Sequence, residues 1–145
     1  MAYAYFDTSA LIKRYVEEPG RREVLALLRT NDCVVSAVLP VEIRSALRRR
    51  ATEQTLDVKR VPAILKRFAT DRQFWTVIEV SGEVLAAAET LSAAHPLRAL
   101  DAIHVASARL FATRIAAPTF TFVSADVRQT TTAAALGINT RHIRS

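Results

Sequence analysis

Short apolar segments alternate along this chain with longer segments in which apolar residues recur every three or four positions. The short segments are rich in branched and aromatic residues, which is typical of buried strands. They cover residues 2–6, 33–37, 75–80, 119–125 and 138–143. The longer segments have the period of helices that pack one face against a core. They cover residues 9–16, 21–30, 41–54, 57–72, 81–94, 99–113 and 126–136.

Polar residues, glycine and proline mark the ends of several predicted helices. We expect Thr8 or Ser9 to cap the first helix and Ser81 to cap the fifth, because short polar side chains bond the free N–H groups of a first turn. Gly137 is expected to end the seventh helix. Pro62 would disrupt the interior of the fourth helix unless that helix begins later than residue 57.

The alternation of strands and helices favours an α/β fold. Strands separated by helices pair in parallel through right-handed crossovers, and the helices then cover both faces of the sheet. The 145 residues suffice for one core, and they contain neither an internal repeat nor a linker-like segment. Ligands of such folds bind beyond the carboxyl ends of the strands, where the strand order reverses. We therefore predict a central parallel sheet flanked by helices, with its functional site at that edge.

The chain is strongly basic. Its 20 Lys and Arg residues outnumber the 14 Asp and Glu residues, which gives a formal net charge of +6. This balance favours a polyanionic partner, because each phosphate contact releases condensed counterions and guanidinium groups match phosphate oxygens. The alternative is a GC-rich coding bias, which would produce the same excess of arginine.

Several features exclude other protein classes. The single cysteine, Cys33, cannot form an internal disulfide and suits a reducing compartment. Asp7 lies early, with no basic residue before it, which argues against a secretory signal, and no apolar run is long enough to span a membrane. With only three glycines, the chain has no phosphate-cradling loop or dinucleotide fingerprint. We expect a cytoplasmic protein without a nucleotide cofactor.

Four carboxylates fall at the same kind of junction between elements. Asp7 and Asp126 directly follow predicted strands, while Glu42 and Asp101 lie in the opening turns of two helices. If these junctions share one sheet edge, the acids converge, and two carboxylates about 4 Å apart repel by about 4 kcal/mol. A divalent cation removes that cost, and ligation by oxygen alone selects Mg²⁺ or Mn²⁺. The alternative for each acid by itself is that it merely caps a helix.

Four segments resemble, in their order and spacing, the PIN-domain ribonucleases, and most of all the VapC-type toxins of bacterial toxin-antitoxin pairs. They are YFDTSALIKRY (5–15), SAVLPVEIRSALRR (36–49), LRALDAIHVASA (97–108) and FVSADVRQ (122–129). The similarity extends over nearly the whole chain. It implies a single three-layer α/β domain of the PIN-like type over residues 1–145.

The same resemblance implies a metal-dependent endoribonuclease that cleaves single-stranded or looped RNA, such as tRNA. Four acids match the family's catalytic and metal-binding positions: Asp7, Glu42, Asp101 and Asp126. Ser9 matches the family's supporting hydroxyl, and Ser124 is expected to serve the same role beside Asp126. A homodimer and a cognate antitoxin partner are also implied, while no membrane association is expected.

Other polar and aromatic residues have weaker interpretations. Arg44, Arg48 and Arg49 follow Glu42 on the third helix, and we interpret them as contacts to the RNA backbone instead of a merely solvated face. His104 lies on the same helical face as Asp101, and we interpret it as packed beside the core with one ring nitrogen hydrogen-bonded; contact with substrate is the alternative. Phe74 and Trp75 are assigned to the core as the first residues of a strand.

Two alternatives to a toxin nuclease stay open from the sequence. One is a catalytically silent module that binds nucleic acid or regulates, and that keeps the fold and the basic surface. The other is a PIN-like nuclease outside any toxin-antitoxin system, acting on DNA or on ribosomal RNA precursors. Metal dependence of cleavage separates the first from an enzyme, and substrate competition addresses the second.

Overall fold

The computed structural model describes residues 2–116 and 119–145 of the chain. The strands are β1 (Tyr3–Phe6), β2 (Asp32–Ser36), β3 (Thr76–Ile78), β4 (Phe120–Ser124) and β5 (Thr140–His142). The α-helices are α1 (Thr8–Leu11), α2 (Arg21–Thr30), α3 (Leu39–Thr52), α4 (Val61–Asp71), α5 (Gly82–Ala94), α6 (Ala99–Ile115) and α7 (Val127–Ala135). Short 3₁₀ turns cover Ile12–Arg14, Val58–Arg60 and Arg72–Phe74.

The strands form one parallel sheet in the order β3-β2-β1-β4-β5. Tyr3 of β1 pairs with Asp32 of β2 on one side and with Phe120 of β4 on the other. The chain builds outward from β1 in one direction through β2 and β3, and then in the opposite direction through β4 and β5. The strand order therefore reverses beside β1, and the carboxyl ends of β1 and β4 form the edge where a ligand site is expected.

Side chains of alternate strand residues enter two separate cores. Ala4 and Phe6 of β1 belong to the core that includes residues of α1, α2, α3 and α4, whereas Tyr5 belongs to the core that includes residues of α5, α6 and α7. This follows from the two-residue period of a strand, which sends neighbouring side chains to opposite faces. The predicted three-layer α/β architecture is confirmed.

The first helix differs from its prediction. It ends at Leu11 and continues as a 3₁₀ turn, and its cap is Asp7 instead of Thr8 or Ser9. Asp7 has an extended backbone, with φ −77° and ψ 173°, and its carboxylate accepts a hydrogen bond from the backbone N–H of Ala10. The cap is therefore one of the four junction acids, which places that carboxylate at the end of β1.

The edge of the sheet near β3 also departs from the sequence pattern. Strand β3 is shorter than the predicted 75–80 segment, and α4 begins at Val61, which leaves Pro62 in the first turn, where it is tolerated. Trp75 packs against the core as predicted, but the core assignment of Phe74 is wrong, because the 3₁₀ turn before β3 leaves this ring 84% exposed. None of the helices described here has both the length and the apolar character needed to cross a bilayer.

Candidate active site

A cavity of about 880 Å³ opens at the carboxyl end of the sheet, and all four junction acids line it. They come from four different elements or their caps: Asp7, Glu42, Asp101 and Asp126. The strand order explains this meeting, because the cavity lies where β1 and β4 end side by side. Acids separated by more than a hundred positions in sequence thus share one pocket.

Asp7 is the most enclosed of these acids, with 1% of its surface exposed. Its Oδ1 accepts the Ala10 backbone N–H at 3.1 Å, and the Ser9 hydroxyl lies 2.8 Å from each carboxylate oxygen. Burial raises the pKa of Asp7, because a carboxylate loses hydration in a poorly solvated place, although the nearby His104 and these hydrogen bonds oppose the rise. The structure thus holds a desolvated carboxyl group at the base of the cavity.

Two serine hydroxyls connect Asp7 to the loop that follows β4. The Ser124 hydroxyl donates to Asp7 Oδ2 at 2.9 Å and accepts the Asp126 backbone N–H at 2.9 Å. The Ser9 hydroxyl accepts the Ala125 backbone N–H at 2.9 Å. The structure therefore places both serines beside Asp7. The Ser124 hydroxyl contacts the backbone N–H of Asp126 and not the Asp126 carboxylate.

Glu42 lies in the first turn of α3, where Oε1 accepts the Thr8 hydroxyl at 2.7 Å. The same oxygen lies 2.6 Å from His104 Nε2, and Nδ1 of that ring lies 2.8 Å from the Tyr5 hydroxyl. Burial disfavours the charged form of Glu42, but the contacts with His104 and Thr8 outweigh it and hold the pKa below its usual value. The contacts with Thr8 and His104 fix the carboxylate group in place.

His104 occupies the space between the acids. Burial of the ring would lower its pKa, but the hydrogen bond to Glu42 and the charges of Asp7, Glu42 and Asp101 outweigh burial and raise it. The interpretation as a packed helix residue is confirmed by its 1% exposure. Both ring nitrogens are hydrogen-bonded, however, and not only one.

Asp101 is the third residue of α6, and its Oδ2 accepts the Arg98 backbone N–H at 3.2 Å. Its Oδ1 accepts from the Gln129 side-chain amide at 3.0 Å. Asp101 thus caps its own helix and at the same time lines the cavity. The capping and functional interpretations of this acid are compatible with one another.

Asp126 caps α7 and accepts the Arg128 backbone N–H at 2.9 Å. The Arg128 guanidinium lies 3.3 Å from Asp126 and 3.9 Å from Asp101. Burial would raise the pKa of Asp126, but the hydrogen bonds and charge of Arg128 outweigh burial and lower it. Arg128 is therefore a cation that faces two of the four acids.

The carboxylate, hydroxyl and amide oxygens that line the cavity suit a hard divalent cation. The side-chain oxygen of Gln129 is a further possible metal ligand, because this buried Oε1 has no hydrogen-bond partner among residues 2–116 and 119–145. Within those same residues, no three His, Cys, Asp or Glu side chains are grouped closely enough to hold an ion as they lie. Each carboxylate is instead turned to its own hydrogen-bond partner. The chemistry of these oxygen ligands fits a divalent ion. The carboxylate side chains would have to rotate toward one another to hold it.

The three arginines of α3 that are predicted to contact RNA divide between two surfaces. Arg49 lines the acidic cavity, whereas Arg44 and Arg48 line a separate groove with residues of α4. Arg44 and Arg48 do share one helix face, as their spacing predicts. The structure therefore brings Arg49 to the acids and places the other two elsewhere on the same helix.

Sequence reasoning missed several residues that line this cavity and undervalued another. Gln129 on α7 and Lys13 beside α1 both line the cavity, but neither residue type signals a site by itself. His104 had a usable signal, because it follows Asp101 by one helical turn and its ring must face the same side. What the sequence could not supply was its partner, Glu42, which is 62 positions away.

Comparison with known proteins shows the family of this chain. A family model for the PIN domain matches residues 4–136. The curated Ribonuclease VapC45 of Mycobacterium tuberculosis is 35% identical over 112 residues, which are 74% of this chain and 76% of the relative.

Solved structures share the fold. FitAcB from Neisseria gonorrhoeae superposes with a TM-score of 0.68 at 16% identity, covering 94% of this chain and 95% of the other. A toxin-antitoxin complex from Klebsiella pneumoniae gives a TM-score of 0.62 at 18% identity, covering 87% and 88%. At these identities the likeness speaks for the fold alone.

Proposed function

This chain belongs to the PIN-domain family, and from that premise we propose that it is an endoribonuclease toxin restrained by a cognate antitoxin protein. The observation that carries the proposal is the meeting of Asp7, Glu42, Asp101 and Asp126 in one cavity at the reversal of strand order. The cluster of acids favours binding of a cation, and the excess of basic residues elsewhere favours binding of a polyanion. The curated relative is named a ribonuclease, which supports RNA as the polyanion.

We propose Mg²⁺ or Mn²⁺ as the resident ion, held by the four acids. The proposal is supported by the carboxylate, hydroxyl and amide oxygens that line the cavity, since hard divalent cations prefer oxygen ligands. When bound, the ion would activate water and offset the negative charge of the phosphate under attack. The serines have a separate task, because Ser9 and Ser124 fix the orientation of the Asp7 carboxylate.

The surroundings of the acids supply the rest of the proposed machinery. Apart from the four acids, the chain has ten other carboxylates against 20 Lys and Arg residues, so its surface attracts a polyanion toward the cavity. We propose that Arg44, Arg48 and Arg49 contact the RNA backbone, with Arg49 closest to the acids. These contacts would position single-stranded or looped RNA without reading its bases.

The proposal extends to partners and setting. The similar structure from Klebsiella pneumoniae is a toxin-antitoxin complex, which supports an antitoxin partner for this chain. We also propose that residues 1–145 act as one PIN-like unit, that two copies form a homodimer, and that the protein acts in the cytoplasm. Size-exclusion chromatography with light scattering measures the number of copies directly.

The test of the proposed function is cleavage of a labelled RNA by the purified chain. We expect cleavage in Mg²⁺ or Mn²⁺, its loss in chelator, and its return when the ion is restored. Asp7→Asn should abolish cleavage while it keeps or raises the thermal midpoint, because it removes a charge from a crowded, desolvated position. Asp57→Asn is the matched control, since Asp57 caps the 3₁₀ turn before α4 and does not line the cavity.

Two outcomes would contradict the proposal. Intact RNA together with binding that ignores the metal would indicate a silent RNA-binding module. Full activity of Asp7→Asn would show that the acids take no part in the mechanism.

A second test uses cells. Expression of the chain alone should arrest growth, and Asp7→Asn or co-expression of the antitoxin should relieve the arrest.

A further inference from the structure

A buried lysine lines the acidic cavity. Lys13 belongs to the 3₁₀ turn after α1, its side chain is 5% exposed, and it lines the same cavity as the four acids. Lysine is almost never this buried unless its ammonium group is paired, because removing the charge from water is costly. The partner of this ammonium group therefore decides what the residue does.

The carboxylate nearest to the Lys13 ammonium group, that of Glu18, is already hydrogen-bonded to Arg50. Lys13 Nζ lies 3.5 Å from Glu18 Oε1, which is long for a charge-assisted hydrogen bond. Both oxygens of Glu18 accept hydrogen bonds from the Arg50 guanidinium, and Nη2 of Arg50 lies 3.1 Å from Oε1. Two cations thus share a single carboxylate. The group formed by Lys13, Glu18 and Arg50, all of which line the cavity, carries one excess positive charge.

The backbone of Lys13 is fixed as well. The Arg21 guanidinium donates to the carbonyl oxygen of Lys13 at 3.1 Å and also to that of Arg14. These bonds satisfy carbonyl groups at the end of a short helical turn, which would otherwise face a poorly hydrated interior. These bonds fix the backbone of the lysine, and burial restricts its side chain, so its charge binds a ligand with a smaller entropy cost.

We propose that Lys13 binds a phosphate of the RNA next to the one that is cleaved. The cavity then has two electrostatic halves: the acids take a cation, and the excess charge of the Lys13, Glu18 and Arg50 group takes a phosphodiester oxygen. A backbone phosphate is the anion that a polynucleotide would bring to this position. The inference rests on the proposed function, since it names a contact to the same substrate.

The first experiment measures binding of a fluorescent single-stranded RNA that the wild-type chain cleaves at one mapped linkage. Binding is followed by anisotropy in the Asp7→Asn background, so that the RNA stays intact. Lys13→Met should weaken binding about tenfold, as expected for one hydrogen bond to a charged group. It should also lower the slope of log affinity against log salt by about 0.7, the value for one phosphate of a single strand.

The control removes the same charge elsewhere. Lys66 lies exposed on α4, outside the cavity. Lys66→Met should change neither the affinity nor the salt slope in the Asp7→Asn background, and it should leave cleavage unchanged in the chain that keeps Asp7. Lys13→Arg keeps the positive charge and should retain most of the binding. The thermal midpoint of every variant is recorded, because a merely structural lysine would change stability without changing the salt slope.

A second experiment locates the phosphate. Single linkages of the RNA are replaced in turn by neutral methylphosphonates, and affinity is measured for wild-type Lys13 and for Lys13→Met in the same background. At one linkage beside the cleavage position, the replacement should weaken binding only when Lys13 is present. If the loss from each methylphosphonate and the loss from Lys13→Met simply add at every linkage, the proposal is wrong. A normal thermal midpoint of Lys13→Met would not change that conclusion.

The outcomes separate this inference from the proposed function. If the wild-type chain cleaves no RNA in any divalent ion, the proposed function fails, and this inference fails with it. If the wild-type chain cleaves RNA but Lys13→Met and Lys66→Met have the same affinity and salt slope, only the assignment of Lys13 is wrong.

Discussion

His104 Nε2 lies 2.6 Å from Glu42 Oε1, and this contact joins α6 to α3 beside the acidic cavity. The other ring nitrogen meets the hydroxyl of Tyr5, which is buried in the sheet. One imidazole thus connects a helix on each face of the sheet with the central strand. The orientation of Glu42 depends on a residue that we do not expect to touch the metal or the RNA.

We expect His104→Ala to lower the free energy of unfolding by about 2 to 4 kcal/mol, because it leaves a buried hydroxyl and a carboxylate without their partner. RNA cleavage should fall as well, since Glu42 would keep only its bond to Thr8. His95→Ala, in the turn after α5, is the control and should stay within about 0.5 kcal/mol of wild type. Urea titration measures both, and wild-type stability of His104→Ala would contradict the assignment.

The division of the α3 arginines between two surfaces leads to a graded prediction for RNA binding. Arg49→Ala should weaken binding about threefold to tenfold at low salt and less at high salt, because it removes a screened contact near the acids. Arg44→Ala and Arg48→Ala should weaken it less, since their groove lies apart from the cavity. Anisotropy titrations at two salt concentrations test the order. Equal losses for all three variants would show that RNA covers both surfaces alike.

Gly20 is required by its surroundings. Its φ is +92°, and a Cβ at this position would lie 2.5 Å from Ile143 Cγ2 and 2.6 Å from the carbonyl oxygen of Arg144. Gly20→Ala should therefore cost about 2 kcal/mol or more, from backbone strain and a clash with a carbonyl. Gly82→Ala is the matched control, because nothing lies within 4 Å of its added Cβ. Thermal melts should show a large loss for the first variant and none for the second.

We expect a carboxylate outside the acidic cavity, that of Asp71, to make stability depend on pH. Asp71 Oδ2 accepts from Arg14 Nε at 2.8 Å and from the Tyr15 hydroxyl at 2.7 Å. Burial would raise the pKa of Asp71, but these hydrogen bonds and the Arg14 charge outweigh burial and lower it. A folded-state pKa below the unfolded value gives stability that is present above the unfolded pKa and is lost as pH falls through the folded one.

We accordingly expect Asp71→Asn to lower the free energy of unfolding at pH 7 by about 1 kcal/mol, after allowing for solvent screening. The difference from wild type should shrink as the pH falls below the ordinary aspartate pKa of 3.8. Urea titrations from pH 7 down to acid conditions measure it. A difference that stays constant with pH would mean that the loss comes from packing and not from the charge.

Periodicity along the chain was sufficient to predict the order and type of the elements. Consecutive apolar residues such as Tyr5 and Phe6 point to opposite faces of the sheet, and both can be buried only if helices cover each side. The junction acids Asp7 and Asp126 were predictable for the same reason, because parallel strands end at one edge. Boundaries were less accurate near Pro62 and Phe74, where local turns compete with the helix and strand patterns.

The partners of the acids were not predictable, and neither was the role of Lys13. Glu42 meets a histidine 62 positions away, and Asp7 meets a serine 117 positions away. Local pattern contains no information about such pairs, since they depend on how helices on the two faces sit against the sheet. Lys13 has the sequence signature of an ordinary surface residue until the folded chain buries it.

The sequence by itself determined the α/β class, the parallel order of connections and the presence of four acids at strand and helix ends, because each follows from local periodicity and from the handedness of crossovers. Only the tertiary structure decided which oxygen each hydroxyl holds, which of the arginines reaches the cavity, and that a lysine shares one carboxylate with Arg50. Those choices rest on distances of a few ångströms between residues far apart in sequence. Hydrogen bonds and desolvation act over that range and not along the chain.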